Sequence, residues 1–334
     1  MKAYEVQKFG LDGLVQVERA EPQPKPGQVL LKMRAASLNY RDFMVAQGVY
    51  NPRLKMPQIP LSDGVGEVIA VGEGVTRVKP GDRVCNSFFE KWVGGDLTPE
   101  GATSALGGGR DGVLAEYVAL HEDGVVHLPE HLTDEEAATL PCAALTAWCA
   151  LIEWGNLKTG DSILAMGTGG VSIFALQFAK IAGARVIITS SSDEKLARAK
   201  NLGADDLINY KTTPDWEKEV AKLTGGRGVD QVVEVGGAGT FMKSVKAVRR
   251  GGTISLIGVL AGAGEVNLTA VLMNGLRVQG IFVGSRQMFE AMNRAIALHK
   301  LRPVVDKVFS FDEAPAAYEL MGRGGHFGKI VIKF

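Results

Sequence analysis

Three cysteines in 334 residues, Cys85, Cys142 and Cys149, are too few and too scattered to staple a fold together. No disulfide framework is expected, and a reducing cytoplasm fits best. Charge of one sign is missing too. Lysine plus arginine and aspartate plus glutamate are both 37, so no summed field attracts nucleic acid or an anionic membrane, and neither is expected as a partner. Every apolar run is broken by glycine or charge before it reaches spanning length, and the opening MKAYEVQKFG lacks the apolar core of an export signal. Internal repeats and low-complexity tracts are absent by eye, which sets aside solenoid architectures. What remains, 46% apolar and 22% charged residues, is the balance of a globular chain with much to bury, and its length suggests two domains rather than one.

The first part of the chain reads as short β segments cut by turns. VQVERA, QVLLKMRAAS, GVGEVIAVGEGV, GDRVCNSFF and AEYVALH alternate apolar and polar residues, while PKPG, VKPGD and GEG supply the bends. From about residue 126 apolar strands alternate with helical periods, as in a parallel sheet covered on both faces. DSILAMG, ARVIITS, ADDLINY, GVDQVVEVGG, GTISLIGVL and LRVQGIFVG are the expected strands, with helices over 171–182, 193–202, 287–299 and 314–321. The final GKIVIKF is expected to return to the first β domain. The expected division is residues 1–125 with 285–334 for an irregular twisted β domain, and 126–284 for a doubly wound sheet inserted in it.

Between the first two of those strands lies MGTGGVS. Gly167, Gly169 and Gly170, with Thr168 and Val171 among them, sit between a strand and a helix, where glycine permits a tight turn and close approach of backbone to a pyrophosphate. The third fingerprint position is Ser172, whose hydroxyl is expected to loosen helix packing slightly. At the end of the second strand, where a carboxylate would select NAD, the sequence has Ser190, Ser191 and Ser192. Their hydroxyls can donate to a 2′-phosphate, Lys195 adds a positive charge, and Tyr210 follows the third strand within reach. NADP(H) is therefore preferred over NAD(H), although Ser192 or Asp193 also suits the cap of the next helix. Val235 and Gly236 after the fourth strand, and Gly258, Val259 and Leu260 after the fifth, lie at the sheet edge where ligands bind, with sheet core as the plainer explanation.

SLNYRD at 37–42, GVGEVIAVGEGVTRVKPGDRV at 64–84, PCAALTAW at 141–148, GTGGVS at 167–172, KNLGADDLINY at 200–210 and FGKIVIKF at 327–334 together resemble the medium-chain dehydrogenase/reductase superfamily over essentially the whole chain. The resemblance implies a GroES-like β domain, a Rossmann domain with a six-stranded parallel sheet, and an active site in the cleft between them. It also implies a homodimer paired through the edge strand near residues 277–284. The alcohol dehydrogenase branch binds catalytic zinc through Cys, His and Cys. Here the corresponding motifs offer Asn39, Leu-Ser-Asp at 61–63, and only Cys142, and residues 86–113 hold no cysteine cluster for a structural zinc. No zinc is expected.

Without a metal to polarise an alcohol, hydride addition to an already activated acceptor becomes the natural chemistry. The sequence looks like the zinc-independent quinone oxidoreductase and enoyl reductase branch, with a quinone or α,β-unsaturated carbonyl as its small-molecule acceptor. Metal-free alcohol oxidation and nucleotide binding with little catalysis are the alternatives. Asn39 resembles a position near the nicotinamide ribose. Tyr40 is a candidate proton donor to an enolate oxygen, or else a packed core residue. Thr146 and Lys329 match positions that in relatives contact the nicotinamide side and the cofactor phosphates, with an exposed strand charge as the plainer reading of Lys329. Asp42 is expected to fix Arg41 or a turn. Phe88, Phe89 and Trp92 either shape an apolar pocket or anchor the loop beside them.

Overall fold

The computed structural model describes residues 1–258 and 264–334. It divides into two compact units, residues 1–145 with 284–334, and residues 146–283. In the first unit, β1 (Lys2–Val6) and β2 (Leu14–Glu18) form an antiparallel pair. β3 (Gln28–Leu38), β4 (Asp63–Val71), β5 (Arg83–Asn86), β6 (Tyr117–His121) and β7 (Val125–His127) follow. The second unit contributes β8 (Ser162–Ala165), β9 (Arg185–Ser190), β10 (Asp206–Asn209), β11 (Val229–Glu234), β12 (Val248–Leu256) and β13 (Arg277–Gly280). The chain then closes the first unit with β14 (Val305–Ser310) and β15 (Lys329–Lys333).

The first unit is a mostly antiparallel sheet in the order β14-β15-β3-β4-β5-β7, with β6 also paired to β3. β3 is its axis because its apolar residues repeat at the strand period. Val29, Leu31 and Met33, and beyond the register shift between Met33 and Ala35 also Ala36 and Leu38, enter a core shared with Val68, Val84, Tyr318, Ile330 and Ile332. Each large side chain so buried contributes about 1.5–3 kcal/mol. Residues 126–145 belong to this unit, so the domain boundary lies beyond the expected residue 125. β7 pairs with β5 rather than opening a parallel sheet. The short helix Asp134–Ala137 is fastened by ion pairs Arg83–Asp134, Lys333–Glu135 and Arg302–Glu136.

The second unit is a parallel sheet in the order β10-β9-β8-β11-β12-β13, the doubly wound Rossmann arrangement. The inner strands β8 and β9 are near-continuous apolar runs because both their faces are buried, whereas the edge strand β13, RVQG, is mostly exposed. Leu164, Ile187, Ile208, Val232 and Ile254 pack with Trp216 and Val220 of the helix Trp216–Leu223. Helices Gly170–Ile181, Asp193–Asn201 and Ala238–Ala247 supply the crossovers.

β11 and β12 end in unusually close approach. The Ile257 and Gly258 amides donate to the Glu234 carbonyl at 2.9 and 3.1 Å, and a Cβ at Gly258 would stand 1.6 Å from the Val235 carbonyl oxygen. Gly258→Ala must push these strand ends apart, so its thermal unfolding midpoint should fall by the equivalent of about 3 kcal/mol. An unchanged melting curve would disprove the tight approach.

Candidate functional site

Two groups of polar residues carry the site, one in each unit. In the second unit the turn after β8 leads into the helix Gly170–Ile181. Gly167 has φ 74°, a conformation natural only to glycine, and a Cβ at Gly167 or Gly169 would meet nothing within 4 Å. The space over the turn is therefore open. The helix start has Gly169 at its cap, no capping side chain and no acidic residue in its first turn. Those unclaimed amides and the helix dipole form a cradle for an anion. A dinucleotide pyrophosphate would fit it, and Gly167, Thr168, Gly169, Gly170 and Val171 are the residues that would line it. Ser172 does not loosen the packing as expected. Its hydroxyl is buried and donates to the Met166 carbonyl at 2.5 Å, so the side chain ties helix to strand instead of crowding it.

At the end of β9, Ser190 is buried and its hydroxyl accepts the Ser192 amide at 3.3 Å. Ser191 is partly exposed, and Ser192 caps the next helix by accepting the Lys195 amide at 3.3 Å. Tyr210 stands beside this corner, its amide donating to the Ser190 carbonyl at 3.0 Å and its ring 41% exposed. The nearest acidic residue, Asp193, accepts from Asn209 Nδ2 at 2.7 Å, so one of its oxygens is already engaged. β9 therefore ends on serine hydroxyls rather than on a carboxylate.

Val235, Gly236 and Gly258 cluster at the ends of β11 and β12. Glu234, fully buried, organises them. Its carboxylate accepts the Gly236 and Gly237 amides at 2.7 and 3.0 Å, the Thr240 hydroxyl at 2.7 Å and the Ser244 hydroxyl. Val259 and Leu260, expected to continue this wall, lie outside the described residues. Thr146 is buried in the short helix Leu145–Trp148.

In the first unit strand register assembles the second group. Ser37 of β3 pairs with Asp63, the first residue of β4, and Leu38 pairs with Ile330 of β15. One end of the sheet therefore carries Asn39, Asp63 and Lys329 from three neighbouring strands. Lys329 is 2% exposed, so it is not a surface strand charge. Its Nζ donates to the Leu38 carbonyl at 2.7 Å and to Asn39 Oδ1 at 2.5 Å. Asn39 Nδ2 contacts Ser62 Oγ at 3.4 Å, the Ser62 hydroxyl donates to Asp63 Oδ1 at 2.7 Å, and the Cys142 amide donates to Asp63 Oδ2 at 3.0 Å. The run from ammonium to carboxylate is directional. Asn86 at the end of β5 holds the middle of it, donating to the Ser62 carbonyl at 2.7 Å and accepting the Gly64 amide at 2.8 Å. Burial raises the Asp63 pKa, opposed by the Lys329 charge and the hydrogen bonds.

Asn39 also begins the helix Tyr40–Ala46, where Asp42 accepts the Asn39 amide at 2.8 Å and pairs with Arg41 at 3.3 Å. Arg41 lies between the rings of Tyr50 and Phe88, 5.3 and 4.9 Å from their centroids, and donates to the Leu106 carbonyl at 2.7 Å. Tyr40 is 40% exposed against Phe43, which overturns its packing in the core. Phe88, Phe89 and Trp92 are buried on one another and anchor the loop, with Trp92 Nε1 donating to the Gly95 carbonyl at 2.9 Å.

These donors do not fit a zinc ion. Asn39 gives its carbonyl oxygen to Lys329, both Asp63 oxygens accept hydrogen bonds, and the Cys142 thiol pKa is raised by burial and then by Asp63. Among the described residues no group of three or more His, Cys, Asp or Glu side chains is placed to hold a metal. Among the described residues no helix is long and apolar enough to cross a membrane.

A Rossmann sheet with an open phosphate turn, inserted in a β unit that carries a buried polar cluster, defines a nicotinamide-dependent oxidoreductase of two-domain type. The alcohol dehydrogenase GroES-like domain family matches residues 25–130, and the zinc-binding dehydrogenase family matches residues 170–297. A zinc-type alcohol dehydrogenase-like protein of Schizosaccharomyces pombe is 46% identical over 332 residues, covering 97% of this chain and 96% of its own. An acryloyl-coenzyme A reductase of Metallosphaera sedula is 30% identical over 94% of this chain and 95% of its own. The crystal structure of a Sinorhizobium meliloti 1021 protein assigned as an alcohol dehydrogenase superposes with a TM-score of 0.93, at 43% identity, covering 100% of this chain and 98% of that one. The chain belongs to the medium-chain dehydrogenase/reductase superfamily, and its first unit is the GroES-like domain.

Sequence reasoning missed Ser62, Asn86 and Glu234 as organisers, and Asp63 as more than a failed zinc ligand. A carboxylate at the end of an apolar run, Asp63 in SDGVGEVIAV and Glu234 in DQVVEV, was the available signal. It also gave no hint that burial pushes the Asp42 carboxyl up to about 6, with Arg41 opposing and Asp63 reinforcing. A raised native pKa means that the folded chain holds the proton more tightly than the unfolded one. The contribution is then present below about pH 4 and is lost as pH rises through about 6. Relative to the unsubstituted protein, Asp42→Asn should therefore gain up to about 3 kcal/mol between pH 4 and pH 7.5, read from paired denaturant titrations. A stability difference that stays flat across that interval would contradict this assignment.

Proposed function

We propose that this oxidoreductase is an NADPH-dependent reductase that works without zinc and delivers hydride to a quinone or an α,β-unsaturated carbonyl compound. The observation that carries this reading is the buried Lys329–Asn39–Ser62–Asp63 chain, whose atoms are committed to one another and leave no donor set for a metal. A conjugated acceptor needs little beyond alignment and hydrogen bonding, since its own carbonyl draws the charge of the added hydride. The acryloyl-coenzyme A reductase among the relatives bears the name of such a reaction. The alcohol dehydrogenase names of other relatives favour a second reading, metal-free alcohol oxidation, which predicts turnover of NADP with simple alcohols.

NADPH oxidation across quinones, enals and enoyl thioesters, with NADH and a chelator as controls, should show NADPH-dependent turnover that the chelator leaves intact. Turnover with simple alcohols alone, or loss on chelation, would refute the proposal. Lys195→Ala should weaken NADPH about tenfold more than NADH in fluorescence titrations, and equal weakening of both would refute the phosphate corner.

Two further parts of the reading concern assembly and compartment. β13 is an edge strand, and beside it Leu268, Leu272 and Met273 are 74%, 76% and 73% exposed, with Val278 and Phe282 also exposed. A second copy pairing along this edge would cover them, giving a homodimer. Leu272→Glu with Met273→Glu should shift the sedimentation coefficient from dimer to monomer, and a monomeric unsubstituted protein would disprove the pairing. Three cysteines without disulfides suit the cytoplasm.

A further inference from the structure

Lysine ammonium has three donors and no lone pair, so the Asn39 atom 2.5 Å from Lys329 Nζ must be the amide oxygen. This fixes the whole amide. Asn39 can offer a ligand only its Nδ2 hydrogens, one of which makes the long 3.4 Å contact to Ser62. A positive charge on the carbonyl side of an amide withdraws electrons from the nitrogen and strengthens it as a donor. Ser62 cannot reverse the direction, because its own proton goes to Asp63. Lys329 itself is 2% exposed, while Asn39 stands at 9% exposure beside the 40% exposed Tyr40. The amide is thus the outer member of the pair.

We propose that Asn39 Nδ2 is the hydrogen-bond donor that receives the acceptor's carbonyl oxygen as it becomes negative, and that Lys329 is the positioning residue whose buried charge fixes and strengthens that donor. The inference rests on the reductase reading and names its electrophilic group. A hydride adds to the acceptor and forms a carbon–hydrogen bond, the conjugated π pair moves onto the carbonyl oxygen, and Asn39 hydrogen-bonds the resulting enolate. A proton from water then completes the reduced product. Reduced nicotinamide, when bound, supplies the hydride and with it both electrons. Donor-only recognition would favour an oxygen that gains charge over an alcohol that must lose a proton to a base.

The test uses the full-length protein and one probe, 4-nitrophenol, whose phenolate oxygen mimics the enolate and whose ionisation is read by absorbance. With no cofactor present, the bound phenol should ionise about one pH unit or more lower in the unsubstituted protein than in Lys329→Met, with Lys329→Arg restoring part of the shift. In the quinone and enal assay Lys329→Met and Asn39→Leu should each lower kcat about a hundredfold with acceptor KM little changed, and the double variant should cost no more than either alone. Circular dichroism, expected unchanged in Lys329→Met, guards against misfolding. Failure of nitrophenolate to bind, equal ionisation in the unsubstituted protein and Lys329→Met, or additive losses would overturn the inference. If every acceptor fails while the lysine-dependent ionisation persists, the reductase reading falls instead.

Discussion

An ammonium buried at the end of a β-sheet must find oxygen, and everything distinctive about the first unit follows from how Lys329 finds it. Antiparallel pairing of β15 and β4 on either side of β3 brings Lys329, Asn39 and Asp63 to one end of the sheet. A slip of one residue in either ladder would send those side chains to the opposite face. Registry is held by apolar neighbours, including Leu38, Ile330 and Ile332, so ordinary core packing positions the polar chain. Asp63, although its pKa is raised by burial, has Lys329, Ser62, Asn39 and the Cys142 amide on its charged side. Removing one member of such a chain leaves the others buried without partners, and this makes the group act as a unit.

The second unit solves a different problem with different material. Its phosphate turn works by omission: glycine where a side chain would fill the space, and a helix start left without a cap. Side chains do the supporting work from beneath. Ser172 ties the helix to the end of β8, and Glu234 gathers two loop amides and two hydroxyls at the end of β11. The turn stays open because these partners are inward and satisfied. Binding of an anion there requires no rearrangement of the residues that hold the turn in shape.

Much of this was legible in the sequence, for physical reasons that differ by element. The six parallel strands announced themselves as apolar runs separated by helical periods, and the glycines of MGTGGVS as punctuation between strand and helix. Residues 126–145 fall in the first unit because β7 pairs with β5, a partner some forty residues earlier that local pattern cannot reveal. The Ser172 tie depends on the Met166 carbonyl six residues earlier, a partner that side-chain volume alone does not reveal. Lys329 was legible as a residue of interest only through resemblance. Its burial is set by partners 290 and 291 positions away, which local periodicity cannot reveal. Tyr40 read as either donor or core residue because a helix start places its first side chains by tertiary context alone.

The closing of the first unit by β15 has a consequence for biosynthesis. This strand leaves the ribosome after every other strand described, including all six of the inserted unit, whose long-range neighbours have by then had time to fold. Until it docks against β3, Asn39 is without the oxygen-side partner that fixes its amide. The polar chain at the end of the first sheet is therefore completed only by a strand made after the whole inserted unit.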